Sequence, residues 1–421
     1  MALQVFVISP HGKSNVRLNQ KKIDDEDRSM TALGSANSIL GVTLAAFCSM
    51  TAMRLADPLL PAISDEFGIL TGEAAQIASA FAIAYGISQF VFGPLADRFG
   101  KLATLGWAVL LSVLANCAVG LSQEFNTIVF WRAIAGATTA GIVPLAMAWI
   151  GETVSYADRQ TTLARFLYGV LGGVIGGQII GGVCADLGNW RAGFFLTAAL
   201  YFVCWLQLRA SGQLKMSFEQ PHPVQHLGAL KHFRNVFSAQ WSRFILLVVG
   251  IEGCFLYGAL VFIPSYLHLE RHFSLTEAGL LMASFGLGGL LYASMAGRLL
   301  KRLGEAGLVR SGGFLLGIAF LMLLIPGFWI IAAIAVFVIG LGLYMLHNTL
   351  QTQATQMTPA SRGTAVSLFA CSLFFGQSIG IVAAGWTVDQ LGFAPLFWTA
   401  AIALIFLSIW IASALNQYRD A

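Results

Sequence analysis

The chain has 421 residues, of which 57% are hydrophobic and only 10% charged, and its formal net charge is +4. Soluble domains carry roughly 25% charged residues, so a water-soluble globular fold is excluded. The small positive balance is scattered over short loops, which also argues against a nucleic-acid-binding surface.

Residues 1–35 are polar, and Lys21-Lys22 runs into Asp24-Asp25-Glu26-Asp27. The apolar stretch Leu3 to Ile8 is too short for a secretory signal, so this segment reads as a tail with a solvated charge cluster. Six apolar runs follow, at about 38–61, 75–95, 102–122, 126–149, 163–186 and 192–210. From 211 to 242 the pattern breaks. Pro221, Pro223 and the histidines 222, 226 and 232 stand among basic residues, with spacings that fit no closed metal site. Six further runs occupy about 243–267, 276–297, 306–325, 328–350, 363–387 and 394–415, ahead of a short tail at 416–421. Between 311 and 361 there is no Asp, Glu, Lys or Arg at all.

A helix needs roughly 20 apolar residues to cross a bilayer, whereas a barrel strand needs about ten, with alternation. These runs are long and continuous, and a helix satisfies its own backbone polar groups in lipid. The expected fold is therefore all-α: twelve transmembrane helices in two six-helix bundles, 36–210 and 243–415, joined by a linker at 211–242. Twelve crossings place both termini on one side. Arg54 and Arg132 lie within predicted helices and Arg191 and Arg271 fall on one face, which leaves 20 of the 24 Lys and Arg on the other. Basic loops face the cytoplasm, so both termini and the linker are expected there, in the cell (inner) membrane.

The six cysteines (48, 117, 184, 204, 254 and 371) all sit in apolar runs with no close pair, so neither a disulfide framework nor a metal site is expected. No phosphate-binding Gly-x-x-x-x-Gly-Lys loop occurs, and no Ser-His-Asp arrangement can be argued. An enzyme and an ATP-driven pump thus lack support, and no cofactor is expected.

The two halves repeat. Gly93 to Lys101 returns in shorter form from Gly297 to Gly304, 204 residues later. Pro61 matches Pro264. Gly173, Gly177, Gly182 and Asp186 match Gly376, Gly380, Gly385 and Asp389, all 203 apart, and Thr197-Ala198-Ala199 returns at Thr399. Parallel six-helix repeats around a midplane site mark secondary transporters.

Gly93-Pro94-Leu95-Ala96-Asp97-Arg98-Phe99-Gly100-Lys101 resembles the loop 2–3 signature of the major facilitator superfamily, and the likeness extends over about residues 36–415. It implies a conformational latch of Gly93, Asp97, Arg98, Gly100, Lys101 and Glu152. Asp97 would face the positive start of helix 11 near Arg362, and Lys101 would pair with Glu152. Leu102 stands where the family usually has a further basic residue. Arg132 with Gly136 is similar to the family's Arg-x-x-x-Gly motif, with Ala135 in place of the usual Gln. Gly173, Gly177, Gln178, Gly181 and Gly182 resemble the antiporter motif of drug exporters, with Gln178 where proline is usual, and small residues of this kind let helices pack closely.

Charged residues inside membrane helices are functional by default. Glu252 lies about 13 Å into helix 7, near the midplane, where low polarity disfavours a permanent charge, so it is the expected proton carrier. Asp57 is the alternative, three residues from Arg54 on one helix face, and Arg132 completes the set. Tyr85, Gln89, Phe255, Tyr257, Phe262, Tyr344, Phe375 and Gln377 are the candidate cavity liners, a set suited to amphipathic or weakly cationic molecules. The resemblance implies a monomeric, proton-coupled exporter of small organic molecules. The rivals are a proton-coupled carrier of a sugar, nucleoside or organic acid, and a transporter-like receptor or scaffold.

Overall fold

The structure, a computed structural model, describes residues 38–210, 233–358 and 361–420. The expected tail with its charge cluster, and the three linker histidines, lie outside the described residues.

Helices α1 (Ser38–Phe67), α2 (Thr71–Phe99), α3 (Lys101–Leu121), α4 (Phe125–Thr153), α5 (Tyr156–Asp186) and α6 (Trp190–Ala210) form the first bundle. The second begins with α7 (Gln240–Leu269). A helical run of 49 residues, Leu275–Leu323, follows. At 1.5 Å per residue it is about 74 Å long, more than twice the hydrocarbon thickness. It is two crossings, α8 (275–303) and α9 (305–323), because Gly304 leaves the helical region with φ 67° and ψ 176°. Gly100, its counterpart 204 residues earlier, separates α2 from α3 with φ 86°. A side chain at φ near +70° is strained, so each turn of the duplicated motif rests on a glycine. The bundle ends with α10 (Trp329–Gln356), α11 (Arg362–Leu391) and α12 (Phe393–Asp420). The last helix thus absorbs most of the expected tail at 416–421.

The repeat persists down to single contacts. A Cβ at Gly173 would strike the carbonyl of Phe47, and one at Gly376 the carbonyl of Gly250. Gly177 is set against Thr51 and Gly380 against Cys254, in each case 203 residues on. Gly136 faces the Phe81 carbonyl and Gly340 the Phe285 carbonyl, 204 apart. Hence α1–α5 and α7–α11 are the same close-packed pair used twice, and so are α2–α4 and α8–α10.

Phe81, Phe194 and Tyr201 anchor the interior of the first bundle, and Phe262, Phe320 and Phe397 that of the second. The outside is apolar too: Trp107, Phe130, Trp386, Trp398 and Phe406 are all exposed, as a lipid-facing wall requires. The bundles meet along two seams. α2 lies on α11, where the Ser79 and Ser378 hydroxyls are 2.8 Å apart. α5 lies on α8, where Gly279 abuts the Gln178 carbonyl.

Candidate functional site

Two buried polar clusters flank the centre, one in each bundle. In the first, α1 is interrupted. Pro58 opens a short 3-10 turn at Asp57–Leu59 and Pro61 begins the next helical segment, because proline cannot donate to the helical ladder. Asp57 lies in that interruption. It is 1% exposed, accepts from Gln178 Nε2 at 2.9 Å and sits 3.5 Å from Arg54 Nη1. Gln178, at the position where the exporter motif usually has proline, therefore supplies a donor that proline lacks.

Arg132 is fully buried and does not reach for the membrane surface. Its Nε donates to the Ile77 carbonyl at 3.2 Å and its Nη1 to the Ala52 carbonyl at 3.1 Å, just before the break in α1. Its guanidinium lies 4.4 Å from the centroid of Phe81 and 5.7 Å from that of Phe194. Nη2 has no partner among the described residues. Arg132 thus clamps α1, α2 and α4 together and adds a second positive charge near Asp57.

In the second bundle Glu252 is fully buried on α7, directly before a π turn at Gly253–Tyr257. Such turns inside α-helices concentrate at functional sites. Glu252 Oε2 lies 3.1 Å from Nδ1 of His347 on α10. That bond needs a proton on one of its two atoms. Oε1 has no partner among the described residues. His347 was not among the sequence candidates. The available signal was its position: it is the one histidine in the charge-free run 311–361.

Between the clusters lies a cavity of about 130 Å³ lined by Met50, Met53, Arg54, Val170, Val174, Tyr257, Phe285, Leu343, Tyr344, Leu373, Phe374 and Gln377. It draws on both bundles, and Arg54 bridges them, with its guanidinium 5.1 Å from the Tyr257 centroid. Of the eight candidate liners, Tyr257, Tyr344 and Gln377 line the cavity. Tyr85 sits behind it, 4.4 Å from the lining ring of Phe374, and Gln89 is half-buried outside it. Phe255 and Phe375 point outward, at 36% and 51% exposure, and Phe262 is buried in the second bundle. The physical reason is helical phase. One residue turns a side chain by about 100°, so Phe374 faces in and Phe375 faces lipid.

Among the remaining candidates, Lys101 Nζ lies 2.8 Å from Glu152 Oε1. Asp97 and Arg98 are exposed, and Asp97 has no hydrogen bond or ion pair among the described residues. Nothing approaches the Cβ positions of Gly93, Gly297 or Gly363. The end of the molecule that holds the α2–α3 and α8–α9 turns is therefore loosely packed between bundles. The opposite end is closed, with Gly72 against Gly385 and Gly182 against Leu275. No group of three or more potential metal ligands occurs among the described residues.

Two bundles related by a 203-residue repeat, meeting at a central cavity between buried charges, define a secondary transporter. Comparison agrees: the Major Facilitator Superfamily family model matches residues 42–370 and 270–418, and the chain belongs to that superfamily. It is 24% identical over 336 residues to the uncharacterized MFS-type transporter YceJ of Bacillus subtilis, covering 79% of this chain and 84% of that protein. It is 25% identical over 391 residues to the multidrug resistance protein MdtG of Proteus mirabilis, covering 89% and 95%. The fold superposes on a crystal structure of the peptide transporter POT in complex with sulfate, with TM-score 0.72 and 16% identity, covering 90% and 94% of the two chains.

Proposed function

We propose that this membrane transporter is proton-coupled and moves small organic molecules by alternating access about the central cavity. The observation that supports it is the Glu252–His347 pair: a fully buried carboxylate and an imidazole at 3.1 Å, beside a cavity shared by both bundles. A carboxylate sealed from water is costly unless its charge is compensated, which is the physical reason to look for the coupled proton at this pair. The reading puts the protein in the cell (inner) membrane as a monomer with both termini on the cytoplasmic side, a topology that the excess of basic residues in the loops on one face supports.

Export is supported by the likeness to MdtG and by the glycine series of α5. In that reading the cargo and the proton on Glu252 displace one another. A second reading, co-transport of a proton with a small metabolite, is supported by Arg54, whose guanidinium faces the cavity.

The test is transport in proteoliposomes under an imposed pH gradient. Glu252→Gln should retain binding of a neutral cargo and lose gradient-driven accumulation. Asp57→Asn must be run beside it. Full coupling in Glu252→Gln together with its loss in Asp57→Asn would move the proton site to α1. Unchanged accumulation in both would end the proton-coupled reading.

A further inference from the structure

Each polar group that the cavity displays can donate a hydrogen bond, and Arg54 can only donate. Arg54 is its only charged lining residue. The guanidinium has a single recorded hydrogen bond, the long contact of Nη1 with Asp57 at 3.5 Å. The other guanidinium nitrogens have no hydrogen-bond partner among the described residues, and the side chain lines the cavity. The Tyr257 and Tyr344 hydroxyls and the Gln377 amide also line it, without a hydrogen-bond partner among the described residues and without being sealed off. The carboxylates, by contrast, are withdrawn: Asp57 is 1% exposed and Glu252 fully buried, and neither lines the cavity. The remaining wall is apolar: two methionines, two phenylalanines and four aliphatic side chains.

We propose that the cavity binds a small organic anion, a carboxylate on a single ring or short aliphatic body, with the anionic group on Arg54 and hydrogen bonds from Tyr257, Tyr344 and Gln377. The assignment rests on the transporter reading above but not on the direction of transport. An ammonium group would meet the Arg54 charge with no accessible carboxylate to offset it. A carboxylate would meet a guanidinium fork that matches its geometry. Size agrees, since about 130 Å³ is below the roughly 300–1,000 Å³ of sites for drug-sized ligands.

Three probes of one shape test this on the purified full-length protein: benzoate, benzamide and benzylammonium, compared by calorimetry at neutral pH. Benzoate should bind at least about tenfold more tightly than the other two. Arg54→Gln should weaken benzoate by roughly tenfold to a hundredfold. Gln377→Glu, which keeps the side-chain shape and adds a carboxylate, should weaken benzoate and strengthen benzylammonium. Preferential binding of benzamide or benzylammonium, or no binding of any of the three by folded protein, overturns the anion assignment. The proton-coupled reading is checked separately on a background with the six native cysteines replaced. Ser79→Cys, at the α2–α11 seam, should change its labelling rate when pH is stepped. A seam that stays static sinks the proton-coupled reading whichever probe binds, and a moving seam with the wrong probe preference sinks the anion assignment alone.

Discussion

Asp186 and Asp389, 203 residues apart, do the same thing in opposite directions. Asp186, at the end of α5, accepts from the Leu275 amide at 2.9 Å and the Thr276 amide at 2.7 Å at the start of α8. Asp389, near the end of α11, accepts from the Gly72 amide at 2.8 Å at the start of α2. Gly72 and Leu275 are themselves 203 apart. Each bundle therefore caps a helix of the other, and the two clasps close the same end of the molecule. A carboxylate at a helix N-terminus gains from the unpaired amides and the helix dipole together.

If the clasps hold that end shut, Asp186→Asn or Asp389→Asn should loosen it. A charge–dipole contact of this kind is worth about 1–2 kcal/mol at most, so each change should shift the ratio of closed to open forms by roughly tenfold. On a cysteine-free background, labelling of Ala74→Cys, a buried position in the first turn of α2, should accelerate in either variant and further in the double variant. Unchanged labelling in the double variant would show that glycine packing alone seals this end.

Asp97 belongs to the opposite end and behaves differently. It is exposed in this conformation, while Lys101 and Glu152 are already paired. A latch between Asp97 and α11 can act only when the bundles close there. Asp97→Asn should therefore leave the thermal stability of the form described here unchanged, yet slow transport, with the population closed at the α2–α3 end reduced by roughly tenfold. Wild-type transport together with unchanged accessibility of the end that holds the α2–α3 turn would count against the latch.

The glycines separate by contact. Gly177 and Gly380 abut the carbonyls of Thr51 and Cys254, so a methyl group at either must push two helices apart. Gly177→Ala and Gly380→Ala should each destabilise by about 1–3 kcal/mol, lowering the melting temperature in detergent. Gly93→Ala, with nothing near its Cβ position, should not. Equal melting temperatures for all three would mean that the repeat glycines are not packing residues.

Much of this was legible in the residues. The 203-residue spacing of Gly173, Gly177, Gly182 and Asp186 from their echoes located the helix pairs, because close backbone approach demands small side chains at fixed intervals. Glu252 stood out because a carboxylate in an apolar run needs a reason. Arg132 was equally visible, but its carbonyl clamp depends on the local break in α1 and on packing across three helices. His347 had only its place in the charge-free run to mark it, since a single imidazole has no repeat or spacing partner to give it a role. The cavity wall was least legible. Lipid and a cavity both accept aromatics and methionine, so Phe374 and Phe375 differ only in phase, and the π turn after Glu252 alters the phase of α7.

The arrangement around Asp57 gives a sign to the pH dependence of anion binding. The charged groups that act on Asp57 are Arg54 on its own helix and Arg132 on α4, with the neutral Gln178 amide of α5 as its third partner. Ionised Asp57 competes with a bound anion for Arg54. Protonation of Asp57 removes the competitor and also lowers the negative charge beside the cavity. Benzoate, which stays largely ionised from neutral to mildly acidic pH, should therefore bind more tightly as pH falls across that range. Asp57→Asn should bind it more tightly than the wild type at neutral pH, by up to roughly tenfold, and should flatten the part of the pH response that comes from Asp57. That outcome, proton and anion loading together, would favour the second reading, co-transport, over exchange. Weaker benzoate binding at lower pH, with Asp57→Asn no tighter than wild type, would show that Asp57 and the cargo do not share Arg54, and exchange of cargo against protons would be the surviving mechanism.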